Sequence, residues 1–175
     1  MSAPARPERI VIVGLGNPLL TDDAVGLRAA ALLAERLSGA PVDVIESSWG
    51  GMRFVDLLAG YDRAILLDAI EWRRGPPGTV YRLTPDAAIP TMRAVSYHDV
   101  SLGTALALGR SLDIPLPTET VFFAVEAQDT RTFGESLTPA VEAALPEVVR
   151  RVEAQLMQWN VQWGDTCTKP ALHST

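Results

Sequence analysis

The sequence predicts an α/β protein, a three-layer α/β/α sandwich in which helices cover both faces of a mostly parallel sheet. Short apolar runs such as residues 10–13 and 120–125 are typical of buried parallel strands. Segments with apolar residues at helical spacing alternate with these runs, as in parallel sheets. A chain of 175 residues, with 47% hydrophobic and 21% charged residues, is long enough to form one domain around one core.

The first half of the predicted domain contains three strands and two helices. The first strand is apolar from Ile10 onward, and the segment Ser38-Gly39-Ala40-Pro41 ends the helix that follows it. The last of these strands is apolar except for Asp68. In chain order we expect a strand at residues 9–13, a helix at 23–37, a strand at 42–46, a helix at 52–58 and a strand at 64–70.

The second half continues the alternation. The strand predicted at residues 79–83 contains tyrosine and arginine, which favours a more exposed position. Proline residues break the chain before the last strand, and Pro146 can kink or interrupt the last helix. The remaining predicted elements are a helix at residues 99–112, a buried strand at 120–125 and a helix at 138–157. We therefore expect one domain over residues 9–157, with a loose lead at 1–8 and an irregular tail at 158–175.

The composition excludes several classes of protein. The net charge of −6 argues against a nucleic-acid partner, because such partners require a basic surface. The single cysteine, Cys167, cannot form an intramolecular disulfide, which favours a reducing compartment. The N-terminus has no apolar leader, and no apolar run approaches the roughly 18 residues that a membrane helix needs. We expect a cytoplasmic monomer that does not contact a membrane.

A glycine-rich turn, Gly14-Leu15-Gly16-Asn17-Pro18, joins the first strand to the first helix. Open α/β sheets bind their ligands at such joins, outside the carboxyl ends of the strands. A dinucleotide fingerprint requires a third glycine where this chain has Leu19, but Glu46 ends the second strand, so a nucleotide site stays open. The sequence contains neither a P-loop nor a Gly-x-Ser-x-Gly elbow.

Three polar residues can converge at this edge of the sheet. Asp23 follows the first strand, Asp68 lies near the end of the third, and His98 opens a later helix. Two close carboxylates repel unless a proton or cation lies between them, and a mixed nitrogen and oxygen set suits nickel, zinc, manganese or iron. Structural roles are the alternatives. Asp68 can cap the next loop, His98 can form a structural hydrogen bond, and Thr21, Asp22 or Asp23 can cap the first helix.

The glycine-rich turn and the residues after it resemble the opening motif of the hydrogenase maturation endopeptidases. That motif is Gly-x-Gly-Asn, four mostly apolar residues, Asp, Asp or Glu, two further residues and Gly, and residues 14–26 (GLGNPLLTDDAVG) fill every position. Two later signatures also match, Leu67-Asp68-Ala69 and Ser96-x-His98 followed by Leu102. The resemblance spans residues 9–156 and implies a twisted sandwich of the phosphorylase/hydrolase-like type.

The resemblance implies an endopeptidase that removes a short C-terminal peptide from the precursor of a nickel–iron hydrogenase large subunit. It implies that Asp23, Asp68 and His98 bind nickel, which the precursor carries and the protease does not hold permanently. The same donors can accept other divalent metals. Asp22, Asp23 or Asp68 is then the candidate general base.

The resemblance also suggests which residues line a groove for the substrate peptide. Asn17 belongs to the family motif, and the paired glycines Gly50 and Gly51 lie in the turn after the second predicted strand. We expect all three residues to contact the peptide.

Other functions remain open at this point. A nickel-dependent checkpoint protein could bind the precursor without cutting it. The turn also resembles the start of peptidyl-tRNA hydrolases, but those proteins need a histidine soon after the turn, and the next histidine here is His98. A nucleotide-binding module is the third alternative.

Overall fold

The computed structural model describes residues 6–48, 53–84 and 102–164. Within these residues five strands form one sheet: β1 (Ile10–Leu15), β2 (Val42–Ser47), β3 (Arg63–Ile70), β4 (Val80–Leu83) and β5 (Glu119–Glu126). The helices are a 3-10 helix (Thr21–Ala24), α1 (Val25–Arg36), α2 (Arg53–Leu58), α3 (Leu102–Ser111), α4 (Pro139–Glu142) and α5 (Leu145–Gln158). Each predicted strand is therefore present, with ends shifted by one or two residues.

The sheet has the strand order β2-β1-β3-β5-β4, in which only β4 is antiparallel. Side chains of α1 and α5 pack on one face of this sheet, and side chains of α2 and α3 pack on the other. The three-layer sandwich with a mostly parallel sheet is confirmed. The half-exposed Tyr81 and the exposed Arg82 lie in β4, at the edge of the sheet, as the composition of that strand predicts.

The chain order reverses between β1 and β3. From β1 the chain passes outward to β2 and then returns to pair β3 with the other side of β1. Such a reversal leaves a crevice at the carboxyl ends of the two strands, because their following connections leave in opposite directions. The segment after Leu15 and the end of β3 at Ile70 flank this crevice.

Helix α3 begins near the carboxyl ends of the parallel strands, where the crevice lies. Its C-terminal end lies at the amino ends of the strands. There the Gly60 N–H donates to the Pro115 carbonyl oxygen at 2.7 Å, and the Thr118 N–H donates to the Asp62 carbonyl oxygen at 3.0 Å. Asp62 and Thr118 directly precede β3 and β5. Because a helix of 10 residues spans about 15 Å, its first turn lies near the carboxyl ends of the strands.

The expected capping of the first helix by Thr21 or Asp22 is wrong. A 3-10 helix precedes α1, so Ala24 occupies the N-cap position and no side chain caps it. The Thr21 hydroxyl instead donates to the Thr132 carbonyl oxygen at 2.8 Å. Asp22 turns inward to the loop after β5, as described below.

The last predicted helix is interrupted, as Pro146 suggested. It forms α4 and α5, and Pro146 occupies the first turn of α5, where a missing N–H has no cost. Residues 159–164, which follow α5, form no helix or strand, yet Trp159 and Val161 are only 7% and 8% exposed. The core therefore extends beyond residue 157. No helix in the described ranges is both long and apolar enough to cross a membrane.

Candidate active site

Two glycines bring the residues after β1 into close contact with the sheet. Gly16 has φ +144°, and a Cβ atom there would overlap the carbonyl oxygen of Asp23. A Cβ atom at Gly26 would collide with the carbonyl oxygens of Leu15 and Leu67. Glycine at these positions thus lets the 3-10 helix lie on the turn and lets α1 lie directly on β1 and β3.

This packing places Asp23 and Asp68 at the same edge of the sheet. Asp23 precedes Gly26 by about one helical turn, toward the carboxyl ends of the strands. Asp68 directly follows Leu67, whose carbonyl oxygen contacts Gly26. The residues that carry the two carboxylates predicted to act together therefore lie beside the crevice between β1 and β3.

The Asp23 carboxylate is half-buried and stabilises the glycine-rich turn through a hydrogen bond. Its Oδ2 accepts a hydrogen bond from the backbone N–H of Asn17 at 2.9 Å. The Asn17 Oδ1 atom accepts the backbone N–H of Leu19 at 3.0 Å. Asn17 therefore holds the turn through its backbone and its side-chain oxygen, and its role in a peptide groove stays a prediction.

Asp68 is the polar exception within β3. It is half-exposed, whereas every other residue from Ala64 to Ile70 is buried. Because side chains alternate along a strand, Asp68 points away from the face of Leu67 and toward the face covered by α2 and α3. Its Oδ1 accepts the backbone N–H of Ala69 at 2.8 Å. This orientation matches the side of the sheet on which the chain enters α3.

Asp22 lies beside this pair but has a different environment. Its side chain has no exposed surface. Its Oδ1 accepts the Thr138 N–H at 2.7 Å, and its Oδ2 accepts the Thr138 hydroxyl and the N–H groups of Gln128 and Asp129, each at 2.9 Å. Four donors fill the acceptor sites of a carboxylate, so this geometry favours a structural role over that of a general base.

Two segments after β3 and β5 border the same edge. The buried Thr130 hydroxyl donates to Glu71, the first residue after β3. Glu126, which is 2% exposed, accepts the Arg73 N–H at 2.8 Å and the Tyr81 hydroxyl at 3.0 Å. The pKa of the Tyr81 hydroxyl is raised, mainly by burial and secondly by its hydrogen bond to the Glu126 carboxylate. These contacts fix the loop that follows Asp68.

Sequence reasoning missed the contacts of Thr138 and Thr130 with this edge. The signals were present but weak. Thr138 precedes Pro139 at a helix start, and Gln128, Asp129 and Thr130 follow a buried strand. Neither pattern identifies the partner, which is 116 residues away for Thr138 (Asp22) and 59 residues away for Thr130 (Glu71).

The other predicted site residues lie beyond what the structure describes. His98, Gly50 and Gly51 fall in residues 85–101 and 49–52, outside the described ranges. Within those ranges no three His, Cys, Asp or Glu side chains cluster as a metal site. The metal-ligating role of His98 and the groove role of the two glycines therefore stay predictions.

Comparison with known proteins identifies the class. The Hydrogenase 2 maturation protease of Escherichia coli (strain K12) is 30% identical over 158 residues, which cover 88% of this chain and 94% of that protein. The Hydrogenase expression/formation protein HoxM of Cupriavidus necator is 27% identical over 154 residues, 86% of this chain and 75% of that protein. Among solved structures, the hydrogenase maturating endopeptidase HybD from E. coli superposes with a TM-score of 0.71 and 28% identity, over 88% of this chain and 95% of that chain.

The fold and these relatives define a maturation peptidase with a doubly wound α/β/α sandwich. The family described as "Hydrogenase maturation protease" matches residues 27–155 of the chain. The chain belongs to the hydrogenase maturation protease family. The resemblance seen in the turn after β1 is thereby confirmed.

Proposed function

We propose that this protease removes a short C-terminal peptide from the precursor of a nickel–iron hydrogenase large subunit, and that it recognises nickel already inserted in the precursor. The observation that carries the proposal is that the segment of Asp23, after β1, and the end of β3, which carries Asp68, both border the crevice between these strands. The family membership supplies peptide hydrolysis as the reaction.

The environment of the two carboxylates supports recognition of a cation. Both are half-exposed, so a ligand on a protein substrate can reach them from solvent. Their mutual repulsion falls when a cation lies between them, so a nickel-loaded precursor binds better than a nickel-free one. We include His98 as the third ligand because a nitrogen donor with two carboxylates suits nickel. Insertion of the metal would then act as the signal for processing.

Hydrolysis also requires that a water molecule attack the scissile carbonyl. Nickel carried by the precursor would polarise that carbonyl as a Lewis acid. Asp23 or Asp68 would remove the proton from the attacking water as general base and return it to the leaving nitrogen. Asp22 is set aside for this step because four donors already occupy its oxygens.

The geometry after β1 does not favour the nucleotide alternative. In a dinucleotide site the helix starts at the glycine-rich turn and directs its N-terminus at the pyrophosphate. Here the 3-10 helix separates Gly16 from α1 and places two acidic residues, Asp22 and Asp23, in the intervening space. Carboxylates at this position would repel a phosphate group.

The proposal is tested with a purified large-subunit precursor prepared with and without nickel and incubated with this protein. Mass spectrometry measures the loss of a C-terminal peptide. We expect cleavage of the nickel-loaded precursor alone. Binding without a mass change would support the non-cleaving checkpoint, and equal cleavage of both precursors would overturn nickel recognition.

A further inference from the structure

Two large apolar side chains are exposed next to the candidate site. Phe133 is 80% exposed and Leu19 is 58% exposed. Among the large hydrophobic residues in the described ranges, Phe133 is the most exposed. Single exposed apolar residues are common and need no explanation, but two of them on adjoining segments are a candidate contact surface.

The segments that carry these side chains are paired with each other. Leu20 and Phe133 form an isolated antiparallel β-bridge. The Gly134 N–H donates to the Leu19 carbonyl oxygen at 3.1 Å. With the bond from the Thr21 hydroxyl to Thr132, these contacts hold the backbones of Leu19 and Phe133 close together on two paired segments. We use "the platform" for Leu19 and Phe133 on these paired segments.

The loop under Phe133 is further ordered by Asp129. Its Oδ1 accepts the N–H groups of Arg131 and Thr132 at 2.9 and 3.0 Å. The Asp129 N–H also donates to the buried carboxylate of Asp22. An exposed aromatic ring on a loop fixed in this way loses little conformational entropy on binding, which is a property of binding hot spots.

The platform continues directly into the candidate site. Leu19 donates its N–H to the Asn17 side chain, and the Asn17 N–H donates to Asp23. A polypeptide bound at Asp23 extends about 3.3 Å for each residue. A few residues of an extended substrate are therefore long enough to reach the platform.

We propose that the platform binds an apolar segment of the hydrogenase precursor that lies next to the cleaved peptide bond. This inference rests on the proposed function, since it names where that substrate is held. The occupant is apolar because Leu19 and Phe133 offer hydrocarbon surface and burying it in a complex is favourable. Phe133 supplies most of the contact, because its ring is the larger and the more exposed.

Phe133→Ala and Leu19→Ala test the platform in the full-length protein with the nickel-loaded precursor. Leu112→Ala is the matched control, because Leu112 is 61% exposed and follows α3 at the amino ends of the strands, away from the candidate site. We expect Phe133→Ala to raise KM about thirtyfold, as for truncation of a hot-spot residue, with kcat and Tm unchanged. Leu19→Ala should have a smaller effect, Leu112→Ala none, and Phe133→Leu should restore most of the affinity.

Binding of the precursor to wild type and Phe133→Ala is measured in parallel, so the two proposals fail separately. Cleavage with unchanged KM in Phe133→Ala overturns the platform and leaves the proposed function intact. Loss of binding in Phe133→Ala, with no cleavage by the wild type, supports the platform and overturns the proposed cleavage. Sedimentation tests a second copy of this chain as the occupant. A wild-type dimer that Phe133→Ala converts to monomer would overturn a role in substrate binding.

Discussion

The buried carboxylate of Asp22 binds Thr138 twice, through its backbone N–H at 2.7 Å and its hydroxyl at 2.9 Å. Thr138 is the N-cap residue of α4, and Asp22 lies next to Asp23 in the 3-10 helix. The contact therefore joins the segment beside the candidate site to the loop after β5. Because Asp23 is the next residue, the contact also restricts where the Asp23 backbone can lie.

Asp22→Asn should destabilise the fold by about 2–4 kcal/mol, because an amide leaves donors unpaired where the carboxylate accepted four hydrogen bonds. Chemical denaturation measures the loss. Thr138→Ser is the control, because serine keeps both donors and should change stability by less than about 1 kcal/mol. Equal stability of Asp22→Asn and wild type would show that the carboxylate is not the anchor of this segment.

Gly26→Ala should destabilise the protein by about 1–3 kcal/mol, although alanine is the better helix former. The added Cβ atom meets the carbonyl oxygens of Leu15 and Leu67, which are backbone atoms and move only with the strands. The same shift moves Asp23 away from Asp68, so precursor processing should also fall. Gly134→Ala is the control for stability, because its Cβ would lie 3.5 Å from Thr21 Cγ2, an ordinary contact distance. An unfolding midpoint of Gly26→Ala equal to that of wild type would contradict the close packing of α1.

The pKa of Asp129 is lowered from 3.8 to about 2, first by the hydrogen bond with the Thr132 side chain and then by the N–H groups of Arg131 and Thr132. A carboxyl group whose folded pKa is lowered stabilises the fold above its unfolded pKa and loses that effect as pH falls through the folded value. The stability difference between wild type and Asp129→Asn should therefore shrink between pH 3.8 and about 2. Urea denaturation at several pH values measures this difference, and a constant difference across that window would contradict the shift.

Arg73→Gly should raise Tm, because Arg73 has φ +54° and a side chain at such a backbone angle costs about 1 kcal/mol that glycine does not pay. The Arg73 N–H keeps its hydrogen bond to Glu126 in this variant. Arg73→Ala is the matched control, since it removes the same guanidinium but keeps the Cβ atom. A rise in Tm for both variants would trace the effect to the lost charge and not to the backbone angle.

Local sequence patterns were sufficient to predict the elements. Apolar runs gave the strands, and Pro146 marked the break before α5 because proline prevents a continuous helix. The position of Asp68 was also predictable, since a single carboxylate in an apolar strand is unusual. Periodicity was a weaker guide to exposure. Leu32 and Leu108 have helical spacing with buried neighbours but are 39% and 43% exposed.

Long-range contacts account for what the sequence did not predict. Thr21 and Asp22 have the residue types of helix caps, and only the fold shows that their side chains bind Thr132 and Thr138. Trp159 was assigned to a tail because no period continues beyond α5, yet the ring is buried and the Arg63 guanidinium lies 5.3 Å from its centroid. Contacts of this kind depend on which segments the topology brings together, and a local sequence pattern therefore does not predict them.

The measurement that tests the central claim most directly is the ratio of the binding affinities for nickel-loaded and nickel-free precursor, compared between wild type and Asp68→Asn. Asp68 is half-exposed, so asparagine should fold normally, which Tm checks. We expect a large ratio for the wild type and a ratio near one for Asp68→Asn, because the amide no longer repels Asp23 or binds the cation. An unchanged ratio in Asp68→Asn would contradict the account and assign Asp68 a structural role.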